Sequence, residues 1–231
     1  MSLIQIRKLN KTYQAEEVET RALADVDLSV AAGEFVAIMG PSGCGKSTLL
    51  NILGMIDSPT SGDYSFMGED VLHLGEAKRA ALRKRHIGLV FQNFNLIEEL
   101  SVFENVELPL MYLRLSPAER STRVREVLEQ MRILHRRNYY PEQLSGGQQQ
   151  RVAVARAMVA RPRLILADEP TGNLDSANGE DVLDLLSDLN AAGTTVVMVT
   201  HSPTYAERSH RIVHLFDGRI IMDNTLAETA F

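Results

Sequence analysis

The segment Gly40–Thr48, "GPSGCGKST", constrains the fold of this 231-residue chain more than any other stretch. It fits the pattern G-x-x-x-x-G-K-[ST], in which glycines let successive backbone N–H groups turn inward around phosphate oxygens. Such a loop works only where a strand delivers it and a helix leaves it, because the helix N-terminus supplies further amides and a positive dipole end. Both flanks agree. "EFVAIMG" before it is an apolar run of strand length, and Lys46 to Met55 after it reads as a helix. Gly40, Pro41, Ser42, Gly43, Cys44, Gly45, Lys46, Ser47 and Thr48 are therefore candidate phosphate-binding residues. Lys46 is expected to neutralise β and γ phosphates, and the Ser47 hydroxyl to bind Mg²⁺.

Two more apolar runs read as buried strands, "RLILADE" ending at Glu169 and "TTVVMVTH" ending at His201. Between them "SANGEDVLDLLSDLNAAG" places Val182, Leu185, Leu186 and Leu189 at helical spacing. Strands alternating with helices imply an α/β fold with a parallel sheet covered on its faces. The N-terminal "LIQIRKL" and "ALADVDLSV" alternate, and "GDYSFMGEDV" is flanked by glycines; these suit antiparallel strands beside the main sheet. "SPAERSTRVREVLEQMRIL" opens on Ser116-Pro117 with Glu119 in capping position, then shows Val124, Val127, Leu128 and Met131 at helical spacing. From Ser116 to Ala160 the chain reads as an inserted, helix-rich lobe.

Composition narrows the function. A hydrophobic content of 45% is enough for a large core, and a formal charge of −6 argues against a general nucleic-acid binder, so no nucleic-acid partner is expected. The single cysteine, Cys44, rules out an internal disulfide framework and fits a reducing compartment. No apolar run approaches the roughly 20 residues of a membrane span, so any membrane role is expected to be peripheral.

"RLILADEP" sets two carboxylates side by side at a strand end. Asp168 is the candidate Mg²⁺ ligand and Glu169 the candidate general base. A second glycine pair lies in "LSGGQ", Leu144 to Gln148, ahead of a helix expected to begin near Gln148. Ser145, Gly146, Gly147 and Gln148 thus form another candidate anion site. One ATP needs only one such cradle on its own chain.

The ordered string "LSGGQQQRVAVARAMVARPRLILADEPTGNLD" resembles the ATP-binding subunit of ABC transporters, and the resemblance covers essentially the whole chain. It implies a P-loop NTPase core with a parallel sheet, an antiparallel β subdomain and an inserted helical subdomain. Residues 1–231 are then one ABC ATPase domain, with the core in 1–92 and 161–231 and the helical lobe in 93–160. ATP and Mg²⁺ are the implied cofactors, and the implied first partner is a second copy. Two copies pair head to tail, the Ser145 loop of one closing over the γ-phosphate on the other.

Single residues carry over in the same way. Tyr13 resembles the aromatic that stacks on adenine. Gln92 resembles the glutamine that contacts Mg²⁺ and the attacking water and joins core to lobe. Asp175 resembles the aspartate that reaches across the dimer, and it also suits a helix N-cap. His201 resembles the histidine that contacts the γ-phosphate and orients the water. There are two departures: Cys44 stands where serine is frequent, with only its backbone expected at phosphate and little effect expected beyond a sensitivity to thiol reagents, and Ser202 stands where aspartate is frequent, altering the polar network beside His201.

"LNILGMIDSPTSGDYSF", "FQNFNLIEELSVFENVELPL" and "ADEPTGNLD" are similar to the lipoprotein-releasing and macrolide-export branch, which includes a cell-division ATPase. The resemblance implies an integral membrane permease partner, a peripheral place on the cytoplasmic side of the inner membrane, and export or extraction. Residues among Phe94, Leu96, Ile97 and Leu100 are expected to line the partner groove. An ATPase that regulates an extracytoplasmic enzyme through a permease-like partner is the alternative. A soluble ABC ATPase is the third reading, although such relatives usually carry two ATPase units or a coiled-coil insertion.

Overall fold

The computed structural model describes residues 2–15 and 18–226. Two long strands, β1 (Ser2–Ala15) and β2 (Val18–Ala31), pair antiparallel, and the chain then enters β3 (Phe35–Met39), the phosphate loop and helix α1 (Lys46–Leu53). Short strands β4 (Ser61–Phe66) and β5 (Glu69–Asp70) complete a four-stranded antiparallel sheet of order β2-β1-β4-β5. Helix α2 (Glu76–His86) leads into β6 (Ile87–Phe91), and α3 (Val102–Met111), α4 (Pro117–Gln130) and α5 (Gly146–Met158) follow. The chain returns through β7 (Leu164–Asp168), α6 (Ser176–Ala191), β8 (Thr195–Val199), α7 (Pro203–Ala206) and the hairpin β9 (Arg211–Phe216)–β10 (Arg219–Thr225).

The six-stranded sheet runs in the order β10-β9-β3-β8-β7-β6, parallel except for the antiparallel edge strand β10. Side chains alternate across its faces as the pleat requires. Phe35, Ala37, Ile165, Ala167, Val196 and Met198 enter one apolar cluster. Val36, Ile38, Leu164, Leu166, Val197 and Val199 enter the other. Near-continuous apolar strands are therefore stable here because both faces are covered, and each fully buried Leu or Val stabilises by about 1.5–3 kcal/mol.

The second cluster is closed by α1 and the antiparallel sheet, through Leu49, Ile52, Leu53, Ile4, Ile6, Tyr64 and Phe66. The first is shared with the helices. Val106 and Leu110 of α3, Val124 and Leu128 of α4, Val152 and Ala155 of α5, and Val182 and Leu186 of α6 pack into it without a break. Helices α3 and α4 each begin with a capping box, Ser101 with Glu104 and Ser116 with Glu119. Among the described residues, no helix is long and apolar enough to cross a membrane.

Because β3, β6, β7 and β8 run parallel, their carboxyl ends lie on one edge of the sheet. The phosphate loop, Gln92, Asp168-Glu169 and His201 directly follow those ends, the general place for ligands in open α/β sheets.

Candidate functional site

At Gly40 and Gly45 the phosphate loop packs against backbone that leaves no room for a side chain. Gly43 and Gly45 sit at φ of 78° and 103°. A Cβ added at Gly45 would strike the Ala22 carbonyl, and one at Gly40 the Leu215 carbonyl. Lys46 crosses the loop, its Nζ donating to the carbonyls of Gly40 (2.8 Å) and Pro41 (2.9 Å). Pro41, Ser42, Gly43 and Ser47 are exposed at the rim, and Thr48 is half-buried. Cys44 is buried in the apolar cluster below, its side chain packed against the core.

Asp168 ends β7 beside this loop. Burial raises its carboxyl above the ordinary range; a hydrogen bond from Ser47 opposes that, the charge of Glu169 adds to it, and Lys46 opposes it. The carboxylate and the Ser47 hydroxyl thus lie near each other at the loop. Glu169 adopts a left-handed φ of 45°, and its N–H donates to Val199 O at 3.0 Å. That bond ties the turn to the neighbouring strand. Glu169 Oε2 lies 3.1 Å from His201 Nδ1, so the ends of β7 and β8 bring together groups 32 residues apart. Ser202 caps α7 through the Tyr205 N–H (3.4 Å) and donates its own N–H to Thr200 Oγ1 (3.1 Å), which is the polar network that replaces an aspartate there.

Gln92 is linked reciprocally to Asn173, a residue the sequence did not single out. Gln92 Nε2 donates to Asn173 Oδ1 (3.2 Å), while Asn173 Nδ2 donates to Gln92 O (3.2 Å) and Asn93 Oδ1 (2.8 Å). Gly172 lies flat against the same amide, where an added Cβ would come 2.7 Å from Gln92 Nε2. Buried Gln150 also went unnoticed, and it donates to Pro170 O at 2.6 Å, anchoring α5 to the Glu169 turn.

The second glycine pair differs from expectation in its register. Helix α5 begins at Gly146 rather than near Gln148, because Ser145 and Gln148 form a capping box that draws both glycines into the first turn. The Gln148 N–H donates to Ser145 Oγ (3.4 Å), and the Ser145 N–H to Gln148 Oε1 (3.1 Å). Ser145 is exposed, and among the described residues no hydrogen bond joins residues 145–148 to the phosphate loop. Gly147 packs on Asn178, whose carboxamide a Cβ would overlap. Asp175 caps α6 by accepting from the Asn178 N–H (2.9 Å) and Nδ2 (2.7 Å), bonds that hold its carboxyl below the ordinary range.

Tyr13, 42% exposed on β1, is held at its edge: its hydroxyl donates to Asp57 Oδ2 at 2.9 Å. Lys11 Nζ donates to Asp57 Oδ1 at 2.7 Å and lies 4.7 Å from the Tyr13 ring centre, a cation–π distance. Asp57 is a further residue that the sequence did not expose.

Of Phe94, Leu96, Ile97 and Leu100, Ile97 lines a surface groove. It opens, with Phe91, Leu108, Pro109 and Tyr112, onto a groove of about 490 Å³. Leu96 packs against the core cluster, Phe94 rests 3.7 Å from the Cβ position of Gly146, and half-buried Leu100 lies outside the lining. The cause is the backbone, which turns at Phe94 and Asn95 (φ 60° and 48°) under two bonds from Arg156 and then bends around buried Asn105.

The family described as ABC transporter matches residues 23–172. The macrolide export ATP-binding/permease protein MacB 1/2 of Paracoccus denitrificans is 50% identical over 221 residues, which cover 96% of this chain and 33% of that protein. The chain thus spans about a third of that relative's length. The ABC transporter ATP-binding protein YknY of Bacillus subtilis is 47% identical over 95% of both chains. Among solved structures, the dimeric post-hydrolysis state of the ATP-binding cassette MJ0796 bound to ADP and Pi superposes with a TM-score of 0.90 at 44% identity, covering 99% of this chain and 100% of that one. The chain belongs to the ABC transporter family and is its ATP-binding, ATP-hydrolysing domain.

Proposed function

We propose that this domain hydrolyses ATP as a head-to-tail homodimer and drives export or extraction through an integral membrane permease, on the cytoplasmic face of the inner membrane. The observation that carries the dimeric reading is the separation of two anion cradles. The phosphate loop stands with the Asp168–Ser47 and Glu169–His201 pairs, whereas the exposed Ser145 cradle has no bond to it. A second chain supplies what the first leaves open.

In this reading the loop amides and Lys46 bind the β and γ phosphates, and Tyr13 stacks on adenine. The oxygen pair of Ser47 and Asp168 fits Mg²⁺, which favours a few oxygen ligands and retains waters. Among the described residues there is no denser cluster of His, Cys, Asp or Glu. When bound, the ion neutralises charge on the phosphate oxygens. Glu169 takes a proton from the attacking water as the bond from the γ-phosphorus to the bridging oxygen breaks, leaving ADP and phosphate. His201 orients Glu169 and the water through the 3.1 Å contact. Gln92 and Asp175 respond to the state of the site from their seats beside Asn173 and Asn178.

The apolar groove at Ile97 and Tyr112, next to the Gln92 loop, suits a helix of the permease. Affinity purification of tagged Glu169→Gln with ATP from solubilised membranes tests the partner. Recovery of a membrane permease supports the reading, and recovery of soluble proteins alone overturns it.

A further inference from the structure

Beside the groove, a cavity of about 570 Å³ opens between the C-terminal end of α2, the end of α3 and the segment after α5. Its lining holds six cations, Lys84, Arg85, Arg114, Arg123, Arg161 and Arg163, and no carboxylate. Only Arg161 has an ion-pair partner among the described residues, Glu126 at 3.3 Å on the exposed surface. This concentration stands out in a chain whose net charge is −6. The field is felt locally: burial, then the charges of Arg85 and Arg163, hold His86 below its ordinary range, with Glu69 opposing.

One apolar side chain stands at the same mouth, Tyr112, and its chain neighbour Met111 is exposed as well. Met111 and Tyr112 at the end of α3 are 60% and 66% exposed, and Tyr112 lines both the basic cavity and the apolar groove. Lys84 and Ala160 are likewise common to both. Unpaired cations beside an exposed aromatic and a thioether chain match the lipid–water boundary, where the rings and apolar stems sit among headgroups and the cations face phosphates.

We infer that the cavity lined by Arg85, Arg114 and Arg163 binds the phosphate of anionic phospholipid headgroups, seating the domain against the membrane beside the permease groove. The orientation in this inference rests on the permease reading, since the shared rim places the cavity next to the permease. Binding to lipid itself does not need the permease present. A role for the cations as a purely soluble phosphate or polyphosphate site is the competing outcome.

The test uses the purified chain with two kinds of vesicle, pure phosphatidylcholine and phosphatidylcholine with phosphatidylglycerol, followed by flotation. The chain should float only with the anionic vesicles, and raised salt should release it as screening shortens. Arg85→Gln with Arg163→Gln should lower partitioning about thirty-fold, at roughly a factor of five for each cation lost near an anionic surface. Arg7→Gln with Lys8→Gln, an equal charge change on exposed positions of β1, should leave partitioning almost unchanged. Equal loss from both pairs, no flotation of the wild type, or saturation by inorganic pyrophosphate that blocks flotation without any headgroup dependence would each overturn the inference. If flotation fails while a permease co-purifies, only the lipid site is lost; if flotation holds and no permease is found, the permease reading fails alone.

Discussion

Gly172→Ala separates the fold of this domain from the positioning of Gln92. The new Cβ would come 2.7 Å from Gln92 Nε2 and 3.0 Å from its Cδ, closer than packed atoms approach. The obstructing atoms are the far end of a flexible side chain, so the amide moves and the backbone stays. What is lost is the bond from Gln92 Nε2 to Asn173 Oδ1, at 3.2 Å and solvent-exposed. Such a bond contributes about 0.5–1.5 kcal/mol, so the melting temperature should fall by no more than about 2–6 °C for a chain of this size. Turnover should fall far more, because a displacement on the order of 1 Å in a positioning group costs about a hundredfold. Steady-state ATPase and thermal melts of Gly172→Ala, Gln92→Ala and the double variant form the assay. The two substitutions act through one amide, so the double variant should be no slower than Gln92→Ala. Full turnover in Gly172→Ala, or additive losses in the double variant, would refute the reasoning.

Three other perturbations are informative. Asp168→Asn should raise the melting temperature of the nucleotide-free domain at neutral pH while abolishing most turnover. Its folded carboxyl titrates above the unfolded value of about 4, so its ionisation costs stability as pH rises through the folded pKa, and the gain from asparagine should vanish below about pH 4. Gly147→Ala drives a Cβ into the Asn178 carboxamide, whose Nδ2 donates to Asp175 while the Asn178 backbone N–H donates to the same carboxylate; overpacking of about 1–3 kcal/mol should appear in urea melts together with weakened ATP-dependent dimerisation. Asp57→Ala frees Lys11 and Tyr13, and KM for ATP should rise several-fold with kcat retained. Burial alone would raise the Asp57 carboxyl, but the bonds from Lys11, Tyr13 and Ser58 outweigh it, so the support for Tyr13 should persist at neutral pH and be lost as pH falls through a folded pKa below about 4.

The parts of the fold with local signals were legible in the sequence. Strand β3, the glycine loop and α1 declared themselves by order, and the helical stripe of Val124, Val127 and Leu128 by spacing. Strand β6 was missed because "IGLVF" is short and follows α2, whose "EAKRAALRKRH" buries no residue and so shows no apolar stripe. The β9–β10 hairpin carried a usable sign, Asp217-Gly218 between alternating apolar residues, and both adopt positive φ as such a turn requires. The start of α5 was also readable, since the Ser-x-x-Gln box at Ser145 follows the same rule that located α4 at Ser116. Asn173 and Asp57 were not. Their significance lies in partners 81 and 44 residues away, a relation created by the tertiary fold and absent from any local pattern.

The central claim is that the site is complete only when two chains meet. The most direct measurement is the mass of Glu169→Gln by size-exclusion chromatography with light scattering, without nucleotide, with ADP and with saturating ATP. A mass near the monomer's 25.7 kDa is expected in the first two conditions and a doubling with ATP alone. A monomer at saturating ATP, with nucleotide bound, would contradict it.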